Sequence, residues 1–215
     1  MLDYYLLFIG TYTVSSLICF ILDTFPNMPL KDEKINKEIT KKGLLGLYKK
    51  YLHRVAFNVL VLSLPFAYLT PYMFPIYYRP FAIYRFAYEI MLSRIISDIT
   101  FYALHRLMHY PPLYRYSHKK HHEVNISIGM SALYTDWFDF YLGNVIPTVL
   151  MPAIIITNPL TLKLWIASVT VSTVLIAHSG YSNWSTYHDN HHLKFKYNYG
   201  TNVFMDKLFG TYCYQ

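Results

Sequence analysis

The sequence contains only two cysteines, Cys19 inside an apolar run and Cys213 near the end of the chain, which excludes a disulfide framework and a thiolate metal site. Charge is scarce as well. Asp, Glu, Lys and Arg make up 14% of the residues, against about 25% in soluble domains, while hydrophobic residues reach 54%. Acidic residues are the rarer part of that charge, 12 against 19 Lys and Arg, and the formal net charge is +7. Such a surplus can mark a nucleic-acid binder, but eight of the 19 basic residues lie between Lys31 and Arg54, beside apolar spans, where cytoplasmic positive charge explains them better. No G-x-G-x-x-G is present to hold a nicotinamide or flavin. The metalloprotease pattern H-E-x-x-H is missing too, because His122-Glu123 runs on into Val124, Asn125 and Ile126.

What is present is apolar, aromatic and long enough for one folded unit of 215 residues. The 23 Tyr and 14 Phe suit a membrane protein, since rings with a polar tip collect where hydrocarbon meets headgroup. Leu2 to Leu22 has no basic leader or small-residue cleavage pattern and reads as a retained anchor. A lysine-rich connector, Asp23 to Arg54, follows; it is amphipathic from Lys37 to Tyr51 and is expected on the membrane surface. Val55 to Tyr78 is uncharged and holds Pro65, Pro71 and Pro75, which kink or shorten a helix. Pro80 to Leu104 is apolar yet carries Arg85, Glu89, Arg94 and Asp98, spaced as two i, i+4 pairs. Phe140 to Leu162 and Leu164 to Tyr187, broken near Asn158, Pro159 and Lys163, predict a helical hairpin. If the chain crosses at each of these runs from an outside N-terminus, segments 23–54, 105–136 and the tail from 188 share the cytoplasmic face, with 15 of the 19 basic residues.

The histidines fall on that same face. Of ten, nine occupy four places: His105 and His109; His118, His121 and His122; His178; and His188, His191 and His192. H-x-x-H-H occurs twice. One copy is expected by accident in roughly one such chain in fifty, and two with an H-x-x-x-H besides in far fewer than one in a thousand, so chance is set aside. Positions i, i+3 and i+4 make one helical face, so each triplet could hand three nitrogens to one place. Neutral imidazole is the commonest protein ligand for iron, zinc and copper, and nine exceed what one ion can hold. Two metals are implied, and two irons activating dioxygen fit better than a zinc hydrolase, which needs three protein ligands and an open position. His53 stands apart among Lys49, Lys50 and Arg54 and reads as part of an interfacial basic face. Asp98, seven residues before His105, could orient an imidazole or pair with Arg94; Tyr102 could join that face or pack. Asn198, Tyr199 and Gly200 read as a turn, with closure of the metal site as the alternative.

The stretch from Asp98 through Tyr102, His105-Arg106, His109 and His118-Lys119-Lys120-His121-His122 resembles the fatty acid hydroxylase and sterol desaturase superfamily. His178-Ser179-Gly180-Tyr181 is similar to the sterol 4-methyl oxidase and cholesterol side-chain hydroxylase branches, His191-His192 through Phe195 and Tyr197-Asn198-Tyr199-Gly200 to sterol 5-desaturase, and Asp206 with Phe209-Gly210-Thr211 to the C-terminal signature. The likeness covers Arg94 to Tyr212. Different branches are echoed in different segments, so the substrate stays open. Where many sterol branches carry a further histidine before the last cluster, this chain has Tyr187, and the H-P-G-G of a fused haem domain is missing.

The resemblance implies an all-α integral membrane bundle with a cytoplasmic, histidine-rich di-metal cap. Residues 1–93 would form the membrane anchor region and 94–215 the catalytic domain. It implies a di-iron hydroxylase, oxidase or desaturase acting on a lipid or sterol in the endoplasmic reticulum, with dioxygen, a b-type cytochrome and its reductase as partners and no nucleic acid. The ligands to both irons would be His105, His109, His118, His121, His122, His178, His188, His191 and His192. A non-catalytic lipid- or metal-binding membrane protein and a metal transporter are the rival classes; a transporter would place its ligands near the bilayer midplane.

Overall fold

The computed structural model describes residues 2–25, 30–65, 68 and 79–214. Its elements are helical, and no strand occurs among the described residues. Three helices are long and apolar enough to cross a membrane: α1 (Leu2–Thr24), α5 (Trp137–Ile155) and α6 (Pro159–Ala177). Between them lie α2 (Lys41–Phe57), α3 (Ile83–Met108) and the short α4 (Pro111–Ser117); α7 (Ser182–Lys194) and α8 (Val203–Leu208) close the chain. Of the expected run from Val55 to Tyr78, residues 66, 67 and 69–78 lie outside the described residues.

Local chemistry sets the helix ends. Thr40 caps α2 by accepting from the Gly43 amide, and Asn158 caps α6 by accepting from Leu160 and Thr161, with Pro159 where no amide hydrogen is needed. The expected hairpin is therefore present, but its second arm stops at Ala177 and not at Tyr187. His178 to Tyr181 form a loop there, and α7 starts afresh at Ser182. Two wide π-turns, Phe140–Leu150 around Pro147 and Ser172–Ala177, lie at the histidine ends of α5 and α6. Such turns accommodate a proline that lacks a hydrogen to donate, and they cluster at functional sites.

The helices run between two ends. At the end away from the histidines, Lys163 pairs with Asp3 at 2.7 Å, and Glu89 accepts from the amide and hydroxyl of Thr157. At the histidine end, Asp23 accepts from Lys34 (2.7 Å), Tyr48 (2.8 Å) and Tyr181 (2.9 Å). Lys34 also donates to the Ser179 carbonyl and is buried, so this one lysine of the connector is not part of a basic surface. Tyr51, Val55, Ile128, Phe140 and Val174 belong to the main core, and Cys19 packs so tightly on Gly129 that a Cβ there would collide with its sulfur. Leu6, Val14, Leu17 and Ile18 of α1, with Ile83, Tyr84, Met91 and Ile95 of α3, face outward, as lipid-facing residues do.

Neither i, i+4 ion pair expected on α3 forms. Glu89 turns to Thr157, and Asp98 accepts from the amide and hydroxyl of Thr201. Both carboxylates are buried, and a desolvated acceptor gains more from several fixed donors than from one solvated cation. Asp98 consequently orients the 198–201 loop and not the imidazole of His105.

Candidate metal centre

The nine histidines converge at one end of the bundle in two adjacent groups. His105, His109, His118, His122 and His191 form the first, and His121, His178, His188 and His192 the second; within each group one nitrogen per residue lies within 4.8 Å of every other. In the first group the facing Nε2 atoms of His105 and His118 are 3.0 Å apart, those of His109 and His122 3.1 Å, and those of His122 and His191 3.2 Å. In the second, His188 and His192 are 3.1 Å apart, His121 and His192 3.2 Å, and His121 and His178 3.4 Å. Two ligands held about 2.1 Å from one ion lie about 3.0 Å apart at a right angle and about 3.4 Å apart at a tetrahedral angle. The spacing is that of metal ligands.

Hydrogen bonds on the opposite side of the rings decide which nitrogen faces inward. His105 Nδ1 donates to the Tyr199 carbonyl (2.7 Å), His191 Nδ1 to that of Tyr197 (2.7 Å) and His178 Nδ1 to that of Thr173 (2.8 Å). A carbonyl only accepts, so each of these Nε2 atoms is left with a lone pair pointing into its group. His118 Nδ1 meets Asp139 Oδ2 at 2.8 Å in the same way. Lone pairs facing one another at such distances repel unless a cation lies between them. Burial supplies the other condition, neutrality: it lowers the pKa of His178 to about 4, of His192 to about 3 and of His109 to about 2, and puts His118, His121, His188 and His191 well below the ordinary imidazole value. These residues could therefore hold metal.

The triplets are not used as the spacing suggested. Each divides between the two groups, His118 and His122 against His121 in the first, His188 and His192 against His191 in the second. In α7 the reason is angular, since on a helix i and i+4 differ by about 40° and i+3 lies about 100° from i+4. His118 to His122 instead lie on the turn that ends α4 and the 3-10 turn after it, where His122 still donates its amide to the His118 carbonyl. His53 is exposed on α2 and belongs to neither group. Tyr102 accepts from Arg106 and shares a hydrogen bond with Thr211, packing under the site. Tyr187 donates to Asp206 and the Asn202 carbonyl.

The loop from Tyr197 to Gly200 is both a turn and a support. Asn198 has a positive φ of 58°, and Asp206 accepts from the amides of Tyr199 and Gly200, which fixes the two carbonyls that hold His191 and His105. Sequence reasoning missed Asp139, Thr173 and these carbonyls. A signal for Asp139 existed, an acid at the very start of an apolar run with Gly143 one turn on, where any Cβ would strike its Oδ1.

A cavity of about 180 Å³ leads from the site into the bundle. His105, His118, His121, His178 and His188 stand at one end of it, and α3, α5 and α6 form the walls. A larger hollow of about 400 Å³ beside Asp23, Lys34 and Lys37 contains no histidine.

Comparison with known proteins places the chain among relatives. A protein of Homo sapiens, fatty acid hydroxylase domain-containing protein 2, is 33% identical over 130 residues, 59% of this chain and 39% of that protein. Fatty acid hydroxylase ahd1 of Mycosarcoma maydis is 29% identical over 189 residues, 80% of this chain and 47% of that protein. Methylsterol monooxygenase 1 of Rattus norvegicus is 27% identical over 226 aligned positions, 93% of this chain and 73% of that protein. The chain thus spans less than half the length of the first two. No solved structure matches. The fatty acid hydroxylase family model matches residues 90–211. Because that match covers more than half of the chain and contains all nine clustered histidines, the protein belongs to the fatty acid hydroxylase family.

Proposed function

We propose that this protein is a membrane-bound di-iron oxygenase that hydroxylates, or otherwise oxidises, a C–H bond of a sterol or other lipid. The observation that carries the reading is the pair of histidine groups, with lone pairs turned inward, at the end of a cavity between apolar helices. Two iron ions, one in each group, would supply dioxygen chemistry when bound, and an all-imidazole donor set suits iron. The chain's own residues do the rest. The carbonyls of Thr173, Tyr197 and Tyr199 and the carboxylate of Asp139 hold the imidazoles in the ligating tautomer. Walls from α3, α5 and α6 exclude water and would hold the reacting carbon near the histidines.

One oxygen atom enters the lipid and the other leaves as water, which takes two electrons and two protons from outside. With no dinucleotide motif in the chain, a b-type cytochrome and its reductase are the proposed donors, docking on a cytosolic face of the endoplasmic reticulum. Residues 94–215 would form the catalytic part and 1–93 the anchor. Desaturation by the same site is the second reading, favoured by a Delta(7)-sterol 5(6)-desaturase of Eremothecium gossypii that is 31% identical over 135 residues.

Lipid extracts of cells expressing the wild type or His121→Ala test the proposal. The wild type alone should yield a lipid that has gained one oxygen or lost two hydrogens. Identical extracts would remove the oxygenase reading.

A further inference from the structure

The two histidine groups differ in what stands behind their rings. In the first, Asp139 Oδ2 meets His118 Nδ1 at 2.8 Å. A second buried carboxylate reaches the same group by a longer route: the Gly200 amide donates to Asp206 Oδ2 at 2.7 Å, and the carbonyl of that same peptide group, belonging to Tyr199, accepts from His105 Nδ1 at 2.7 Å. One planar amide lies between anion and imidazole.

The N–H and C=O of a peptide group share one set of π electrons, so an anion drawing on the hydrogen raises the negative charge of the oxygen. A stronger acceptor at Nδ1 makes the ring a stronger donor at Nε2. Asp206 suits this role because it is wholly buried and its four donors, the amides of Tyr199 and Gly200 and the hydroxyls of Tyr187 and Thr211, are all neutral. None of them cancels its charge. The close approach depends on glycine, since a Cβ on Gly200 would stand 3.0 Å from Asp206 Oδ2 and 2.7 Å from the Asn202 carbonyl.

His191 supplies the contrast inside the same group. Its Nδ1 also donates to a carbonyl at 2.7 Å, that of Tyr197, but the amide hydrogen of that peptide group, on Asn198, goes to the neutral carbonyl of Thr211. In the second group no carboxylate meets a ring nitrogen among the described residues. His178 donates to the Thr173 carbonyl, and Asp189, which follows His188 in the chain, accepts from Ser127 and Ser185 instead.

We propose that Asp206 is a positioning residue that acts on His105 through the peptide group between Tyr199 and Gly200, and that with Asp139 on His118 it makes the two metal positions unequal. The first group would bind its ion more tightly and give up an electron first, because net charge and hydrogen bonding behind the ligands set both. The inference rests on the two-metal reading above and deepens it by giving the positions an order.

Three measurements on the full chain in lipid nanodiscs test this, the first of them without metal. With isotope-labelled histidine, the Nδ1 proton of His105 in the metal-free wild type should resonate downfield of that of His191, and in Asp206→Asn it should move to the His191 position. Thr211→Val, which takes a neutral donor from Asp206 and keeps the charge, should leave it downfield. Coincident protons in the wild type, which need no variant to fold, overturn the relay, as does an equal shift in Asp206→Asn and Thr211→Val. With ferrous iron bound, chelator competition should find one ion held about tenfold or more tightly than the other, and Asp206→Asn should remove most of that difference by weakening the tighter ion alone. In a stepwise oxidation, His121→Ala should keep the first step and lose the second. Two equal affinities in the wild type, or loss of the first step in His121→Ala, overturn the inequality. None of these measurements follows turnover, so a lipid extract without oxidised product counts against the oxygenase reading alone, and coincident His105 and His191 protons count against this inference alone.

Discussion

Asp139 Oδ2 lies 2.8 Å from Nδ1 of His118, both side chains almost wholly buried, and this contact is the only carboxylate hold on any of the nine histidines among the described residues. It should act on one metal group and not on the other. Asp139→Ala is expected to weaken metal binding in the group that contains His118 by about tenfold to a hundredfold, with Asp139→Asn milder because its amide oxygen still accepts from Nδ1. Gly143→Ala should imitate the loss by displacing the carboxylate. Competition with a chelator of known affinity measures both groups, and two unchanged affinities would leave Asp139 a packing role only.

The divided triplets give a second test. Purified protein reconstituted with ferrous iron should hold two ions per chain, one for each group. His121→Ala and His122→Ala, neighbours in sequence, should each weaken a different ion, and the double variant should lose both. If each triplet served one metal, the double variant would retain an ion.

Acid should destabilise the metal-free chain from near neutrality. Burial lowers the folded-state pKa of His178 to about 4 and of His192 to about 3, against 6.5 in an open chain. Below 6.5 the unfolded chain takes up protons that the folded chain refuses, so stability falls by about 1.4 kcal/mol per pH unit for each such proton. The contribution is complete above 6.5, and the share from His178 is fully lost only below about pH 4. Denaturant midpoints of chelator-treated protein should drop steadily between about pH 7 and pH 5. A flat profile would mean that the unfolded chain keeps these rings shielded.

Turnover should require a separate electron carrier. Lys119, Lys194 and Lys196 are exposed at the histidine end and would attract an acidic cytochrome, as they would anionic headgroups. In vesicles supplied with NADH, product should form only after cytochrome and reductase are added, and its rate should fall as salt rises. Sustained turnover without a carrier would overturn the requirement, and salt-insensitive turnover would remove the lysines from docking.

The convergence of His105 with His191 was legible because a count of histidines on one face needs only topology and charge. Which triplet member serves which group was not, since spacing fixes directions around a helix but not where neighbouring helices stand. The carbonyls of Tyr197, Tyr199 and Thr173 were invisible for a simpler reason: a backbone acceptor has no residue type. Asp98 misled because spacing made Arg94 its neighbour, while burial made Thr201 the better donor.

The bond from Tyr181 to Asp23 joins residues 158 positions apart. Contacts of such separation close slowly, because the ordering of the intervening chain comes before any return. Asp23 is synthesised before Tyr181 and must wait for the loop behind His178, so the second histidine group is expected to form late in folding. During that interval its imidazoles are open to water and to whatever divalent ion is most abundant. Which metal the finished protein would carry is then a matter of timing and supply as much as of affinity.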